Sequence, residues 1–379
     1  MTKHTAAKML CALAAFAALA ALAGDPSTAV LRLLNSRSSG SPRAYAEAAE
    51  EVAAQAKAGK AVYAFVLGLV SRERNAPPAA RLDEATRKKY LDDNRPSIKK
   101  VAIEHNNPMA LYLLALDSGD TNLLHRAAEA GSVQAENAWG SLIFSIALSD
   151  PKASSNHVEQ TLRQAYECFK DAAGKGDANG LYNLGTCLWR GLGTERDDMS
   201  AFNCFRAAAE KGHPEAINNI GAFFRDGVII ERDAELSAKW FAKSASYENP
   251  FGQYNYALAL RKGEGVEKDY KKAAELLEKS ANGGCIEAVN TLGVAYWRGE
   301  GVKKDEKRAF KLFMRAADDG YPPAMENVAT CYEFGEGVGV DDRKALDATA
   351  VTGAVGGLVL RRWACWERNG IIIFSSAVA

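Results

Sequence analysis

Residues 288–320 read "AVNTLGVAYWRGEGVKKDEKRAFKLFMRAADDG", with apolar residues recurring at intervals of three and four on both sides of a short Gly-rich, charged connection. That period is helical, so the stretch predicts two helices joined by a turn. Gly293 falls inside the first helix, where glycine costs about 1 kcal/mol against alanine. Stepping by 36 residues explains it: Gly185, Gly221, Ala257, Gly293 and Ala329 form a column of small residues, each preceded by an apolar one. Six residues after each comes Gly191, Gly227, Gly263, Gly299 and Gly335. A fixed period of this length is the mark of a repeat architecture.

Each unit is therefore an αα-hairpin. The small residue lets the first helix approach its partner closely, and the glycine six residues on supplies a left-handed C-cap. Acidic residues such as Asp197, Asp269 and Asp305 stand where the second helix begins and suit its cap or dipole. Upstream the spacing changes: Gly140 precedes Gly185 by 45 residues, so an insertion around "SDPKASSN" is expected to lengthen one loop. Ala115 and Gly68 mark two weaker units, and "GGLVLRRWACWERNG" near the end reads as one more first helix without a partner. The expected organisation is a signal peptide at 1–23, degenerate helical repeats at 24–132, regular repeats at 133–353, and a half-repeat with a tail at 354–379. The fold class that follows is all-α, a superhelical solenoid of αα-hairpins whose irregular ends act as caps.

The small-residue helix, the "G-x-G-V-x-x-D" loop and the "K-A-x-x-L/W-x-x-x-A-A-x-x-G" helix closely resemble the Sel1-like repeat family, relatives of tetratricopeptide repeats. Residues 288–320 and "GLYNLGTCLWRGLGTERDDMSAFNCFRAAAEKG" at 180–212 are the clearest copies. The likeness is strong over 133–350, loose over 42–132, and departs at "DATAVTGAVGG". It implies a right-handed α-solenoid acting as an adaptor or assembly scaffold; period and spacing imply the solenoid alone.

Two residues before the small residue runs a polar column of Asn183, Asn219, Asn255, Thr291 and Asn327. Asn carries a donor and an acceptor, which suits the backbone of an extended peptide. In tetratricopeptide relatives, asparagines at a similar place often line the groove. The competing role is structural, each amide bonding a neighbouring helix and fixing the stacking. A second band, near the first-helix ends, contains Trp189, Arg190, Arg225, Arg261, Lys262, Trp297 and Arg298. Trp and Arg are typical interface anchors, and basic groups are also favoured at a helix C-terminus. Together the two features would make a groove for an acidic or extended protein segment.

The first residues, "MTKHTAAKMLCALAAFAALAALAGD", have the layout of a secretory signal with cleavage expected after Ala23. The full chain balances 47 basic against 47 acidic residues; losing Lys3 and Lys8 leaves two net negative charges. Nothing in that balance points to nucleic acid. No Asn-x-Ser/Thr acceptor occurs, which favours a bacterial periplasm, with secretion as the alternative. Six cysteines remain; Cys168 and Cys204 take a place filled elsewhere by core residues, while Cys187 and Cys204 come level in their hairpin and could form a disulfide.

Catalytic patterns are thin. His105, His125, His157 and His213 form no metal-ligand spacing, and no cofactor or metal is expected. Ser97-Ile98-Lys99-Lys100 matches S-x-x-K without the S-D-N and K-T-G elements that accompany it in penicillin-interacting enzymes. Some cysteine-rich secreted members of the resembled family have been linked to penicillin binding. The reading is a non-enzymatic exported adaptor; the alternatives are an envelope hydrolase or penicillin-interacting enzyme, and a secreted effector binding a host protein.

Overall fold

A computed structural model describes Val30, Leu33 and Leu34 and residues 42–72, 76–149 and 154–348. The expected signal peptide, the half-repeat and tail at 354–379, and Cys365 lie outside the described residues. All described elements are helical, and the chain is an α-solenoid of hairpins that divides into two compact units, one ending at His213 and the other beginning at Pro214.

The first unit contains α1 (Pro42–Lys57), α2 (Ala61–Val70), a 3-10 turn (Pro78–Ala80), α3 (Glu84–His105), α4 (Pro108–Ser118), α5 (Thr121–Glu129), α6 (Val133–Ser149), α7 (Ser155–Gly174), α8 (Ala178–Arg190) and α9 (Asp198–Glu210). The second contains α10 (Pro214–Asp226), α11 (Ala234–Ser246), α12 (Pro250–Lys262), α13 (Tyr270–Asn282), α14 (Ile286–Arg298), α15 (Glu306–Asp318) and α16 (Pro322–Phe334), then helical backbone at 342–348. The even-numbered helices from α2 onward are the first helices of hairpins. In the first unit a continuous core runs from Val30 to Ala135. In the second, one runs from Phe251 to Cys331.

Helix ends follow from local chemistry. Asp197, Asp233, Asp269 and Asp305 each accept a hydrogen bond from the backbone N–H three residues on, at 2.8–2.9 Å. The backbone N–H of each also donates to a first-helix carbonyl, as from Asp305 to Tyr296, which closes the turn. Gly263, Gly299 and Gly335 cap the first helices at φ of 72–74°.

The small-residue column faces an aromatic ring. A methyl group on Gly293 would lie 2.6 Å from Phe313, and one on Gly221 would lie 2.7 Å from Phe241. Gly185 meets Phe205 and Gly140 meets Phe169 in the same way. Where the column holds Ala257, the partner position holds Leu277, and both are fully buried.

A second glycine in the loop does what the sequence reading did not foresee. A Cβ on Gly265, Gly301 or Gly337 would overlap the carbonyl of Ala234, Tyr270 or Glu306, the first residue of the preceding hairpin's second helix. Gly193 is seated likewise on Leu162 in the first unit. The loops at Gly265, Gly301 and Gly337 thus lie directly on the second-helix start of the repeat before, and the loop at Gly193 lies on α7 two turns in from its start.

The insertion between Gly140 and Gly185 goes into helices and not into the loop. α6 and α7 are 17 and 20 residues long against 13 in each of α8 to α16, and only 150–154 connect them. The alternation of apolar residues simply continues into the added turns, so extension costs less order than a long loop would.

Candidate functional site

The polar column is paired from repeat to repeat. In the second unit the Asn255 Nδ2 donates to Asn218 Oδ1 at 2.8 Å, and Asn327 Nδ2 donates to Asn290 Oδ1 at 2.8 Å. Between those two links, Tyr254 and Thr291 hydrogen-bond, and burial pushes the Tyr254 phenol up to about 12. In the first unit Asn183 Nδ2 donates to Asn137 Oδ1 at 2.9 Å. Asn219 is fully buried, and neither of its amide atoms has a hydrogen-bond partner among the described residues. Asn183, Asn255, Thr291 and Asn327 therefore hold neighbouring first helices in register.

Their partners Asn218, Tyr254 and Asn290 occupy the position just before the column in the preceding repeat. The signal was present as the doublets Asn218-Asn219 and Asn290-Thr291. Adjacent helical residues point about 100° apart, so in the second doublet Thr291 serves the repeat before and Asn290 the repeat after, while in the first only Asn218 is paired, with the repeat after.

The Trp and Arg band divides into buried and exposed members. Arg261 reaches Glu300 of the next loop through Nε and Nη2, at 3.1 and 2.6 Å. Trp297 Nε1 donates to Glu336 at 2.8 Å, one repeat further on. Arg225 lies against Asp226 at 2.7 Å and reaches Asn255 at 3.4 Å. In the first unit Trp189 is buried beneath Arg196, whose guanidinium stands 5.1 Å from the ring, and Arg190 is half-buried. Arg298 and Lys262 remain exposed, with the Arg298 guanidinium 5.7 Å from the Trp297 ring. The carboxylates answering this band, Glu300 and Glu336, occupy the middle of the G-E-G loops and were legible there only as loop charges.

Cys187 and Cys204 are free thiols, which corrects the disulfide expectation. Although level along their hairpin, they face different ways. Cys187 is buried with Ile143, Ala165 and Phe169 of the preceding hairpin, and burial pushes its thiol up to about 12. Cys204 lines an open cleft beside Tyr166, Lys170 and Leu188. Cys168 and Cys204 are half-buried, at the rim and not in the centre of the core.

Ser97 and Lys100 are both exposed on α3 beside Pro96. His213 is buried and stacks on Tyr182 at 4.4 Å; burial holds it down at about 3, so it is neutral. Among the described residues no group of three His, Cys, Asp or Glu side chains could hold a metal ion, and no helix is long and apolar enough to cross a membrane.

A family model described as Sel1 repeat matches residues 178–213, 214–246, 250–285, 286–321 and 322–347. Among solved structures the chain is similar to a Sel1 repeat protein from Oxalobacter formigenes, at 21% identity and a TM-score of 0.51. That likeness covers 68% of this chain and 96% of the other. It is also similar to c5321, a protective antigen present in uropathogenic Escherichia coli strains and displaying an SLR fold, at 23% identity and a TM-score of 0.55. Here 83% of this chain and 67% of the other are covered. No curated protein matches. The matched segments coincide with the hairpins from α8 onward, and residues 178–347 are a run of Sel1 repeats.

Proposed function

We propose that the chain is a non-enzymatic, exported scaffold that binds a protein segment in the groove formed by its successive first helices. Sel1 repeat solenoids are generally protein-interaction scaffolds; the groove, the export and the absence of catalysis are the finer parts of the reading. The observation that carries it is the pairing between consecutive repeats, by amides from first helix to first helix in Asn218 to Asn255 and Asn290 to Asn327, and from first helix to the next loop's carboxylate in Arg261 to Glu300 and Trp297 to Glu336. Polar groups spent on neighbours make a rigid surface, and a preorganised surface loses less entropy on binding. Lys262, Arg298 and the half-buried Trp297 then stand as the anchors, a set suited to an acidic partner segment. The asparagines contribute by holding the helix spacing that such a segment would span. The "MTKHTAAKML…LAGD" leader supports export to a periplasm.

The test places a photo-cross-linking residue at Lys262 or Arg298 on first helices, and at Glu275 on α13 as a control, in the native cell. The expected result is one protein captured from the first two positions and not from Glu275, lost when Trp297→Ala and Arg298→Glu are combined without change in circular dichroism. Equal capture from Glu275, or none from Lys262 and Arg298, overturns the groove. N-terminal sequencing of the recovered protein checks export, which requires a start at Gly24.

A further inference from the structure

The first helices of the second unit change sign along the array. α12 has no acidic residue and ends in Arg261 and Lys262; α14 keeps its one acid, Glu287, buried and ends in Arg298. α16 has no basic residue and exposes Glu326 and Glu333. Arg261, Trp297 and Glu333 stand one repeat apart at a single place, so one row runs from a cation through an aromatic ring to an anion. Three residues earlier on the same helix face lies a second row, Leu258, Val294 and Thr330, half-buried and apolar at first, exposed and polar at the end.

The charges at both ends are open to a partner. Arg261 is spent on Glu300, but Lys262 and Arg298 are 61% and 56% exposed, with their loop carboxylates at 3.9 and 3.6 Å. Pairs this loose and this wet bind each other weakly. At the other end, no cation pairs with Glu326 or Glu333 among the described residues. These two glutamates are two turns apart on α16 with Thr330 between them, so all three share one face. Midway, the Trp297 ring is fixed by its bond to Glu336 at 2.8 Å and stands half-buried one turn from Val294. A wholly acidic segment would be attracted at Lys262 and Arg298 and repelled at α16, and a wholly basic one the reverse. Nucleic acid and anionic lipid carry a single sign and suit one end alone.

We propose that the occupant of this face is a bipolar segment of a partner protein, with acidic side chains over Lys262 and Arg298, an apolar side chain on Trp297 and Val294, and basic side chains over Glu326 and Glu333. The proposal rests on binding along the first helices and adds the charge order of what is bound. At about 10 Å for each step between packed helices, α12 and α16 are about 20 Å apart, a span that an extended chain covers in about six residues. Opposite charges at that separation, with an apolar side chain between them, are within the means of one short stretch of polypeptide.

The test places a photo-cross-linking residue at Leu258 and, separately, at Thr330 in the native cell, which leaves every charge in place, and maps the captured residues by mass spectrometry. The expected result is one segment of one partner, its two contact residues about six apart, acidic around the Leu258 contact and basic around the Thr330 contact. Glu326→Gln with Glu333→Gln should lower capture from Thr330 about 10-fold, and Glu326→Lys with Glu333→Lys should abolish it, with circular dichroism unchanged. Capture from Leu258 alone, or a mapped segment acidic throughout, overturns the bipolar occupant and leaves the groove standing. No capture from either position overturns both. A map onto a second copy of this chain, or capture indifferent to both pairs of glutamate substitutions, overturns the proposal as well.

Discussion

Gly293 and Phe313 are one packing choice made at two positions. The ring fills the space a side chain on Gly293 would need, as at Gly221 with Phe241, and the Ala257 and Leu277 pair shows the other solution. Gly293→Ala gains helix propensity of about 1 kcal/mol but forces a buried ring to move, a cost of about 1–3 kcal/mol. Thermal melts should show a loss for Gly293→Ala and for Phe313→Leu alone, and a double variant more stable than the two losses added, by at least about 0.5 kcal/mol. Additive losses would refute the pairing. A pH effect belongs to the same scale. The Ser200 amide, and then its hydroxyl, donate to Asp197 and hold its carboxyl below the usual carboxylate range. A depressed carboxyl contributes stability that is complete above the unfolded pKa, near 4, and is lost as pH falls through the folded value. Melting temperature should therefore fall more steeply below pH 4 in the unaltered chain than in Asp197→Asn, which can still cap. The small-residue column was legible because its reason is local, a close helix approach. The direction of each polar column amide was not, because two adjacent polar residues compete for the same face.

Between helices, the two glycines of each loop have different duties. Gly299 ends α14 at φ 73° with only ordinary contacts for an added Cβ, whereas Gly301 is seated on the Tyr270 carbonyl. Asn tolerates the left-handed conformation, so Gly299→Asn should cost less than about 1 kcal/mol. Gly301→Asn should cost several times more, because the backbone of one hairpin must lift off the next; equal melting temperatures would contradict this. The paired amides give a parallel expectation. Asn255→Ala leaves the buried Asn218 carbonyl oxygen unpaired, a cost of about 1–3 kcal/mol measured by urea titration. Helix pairs, caps and period could be read from the sequence because each lies within one repeat. The loop seat and the carboxylates Glu300 and Glu336 could not, since their partners lie 31 to 39 residues away and a loop charge reads as solvated.

Across the molecule, stability in a stacked array is a sum of repeat terms and nearest-neighbour terms. Damage should therefore stay local within the second unit. Gly301→Asn is expected to weaken hydrogen-exchange protection over 270–321 and spare 214–246, and a uniform loss would mean one cooperative block. The added turns of α6 and α7 show how much the array tolerates inside a hairpin, where extension disturbs no seat. The glycine seats also act as a ruler for changes of length. Removing residues 265–300 would bring Gly301 directly after Glu264 and set it on Ala234, the seat that Gly265 holds now. A cut at 265–299 or 265–301 would bring Glu300 or Val302 to that carbonyl in place of a glycine, so between these seats a length change of one whole period leaves the contact intact where a change of one residue does not.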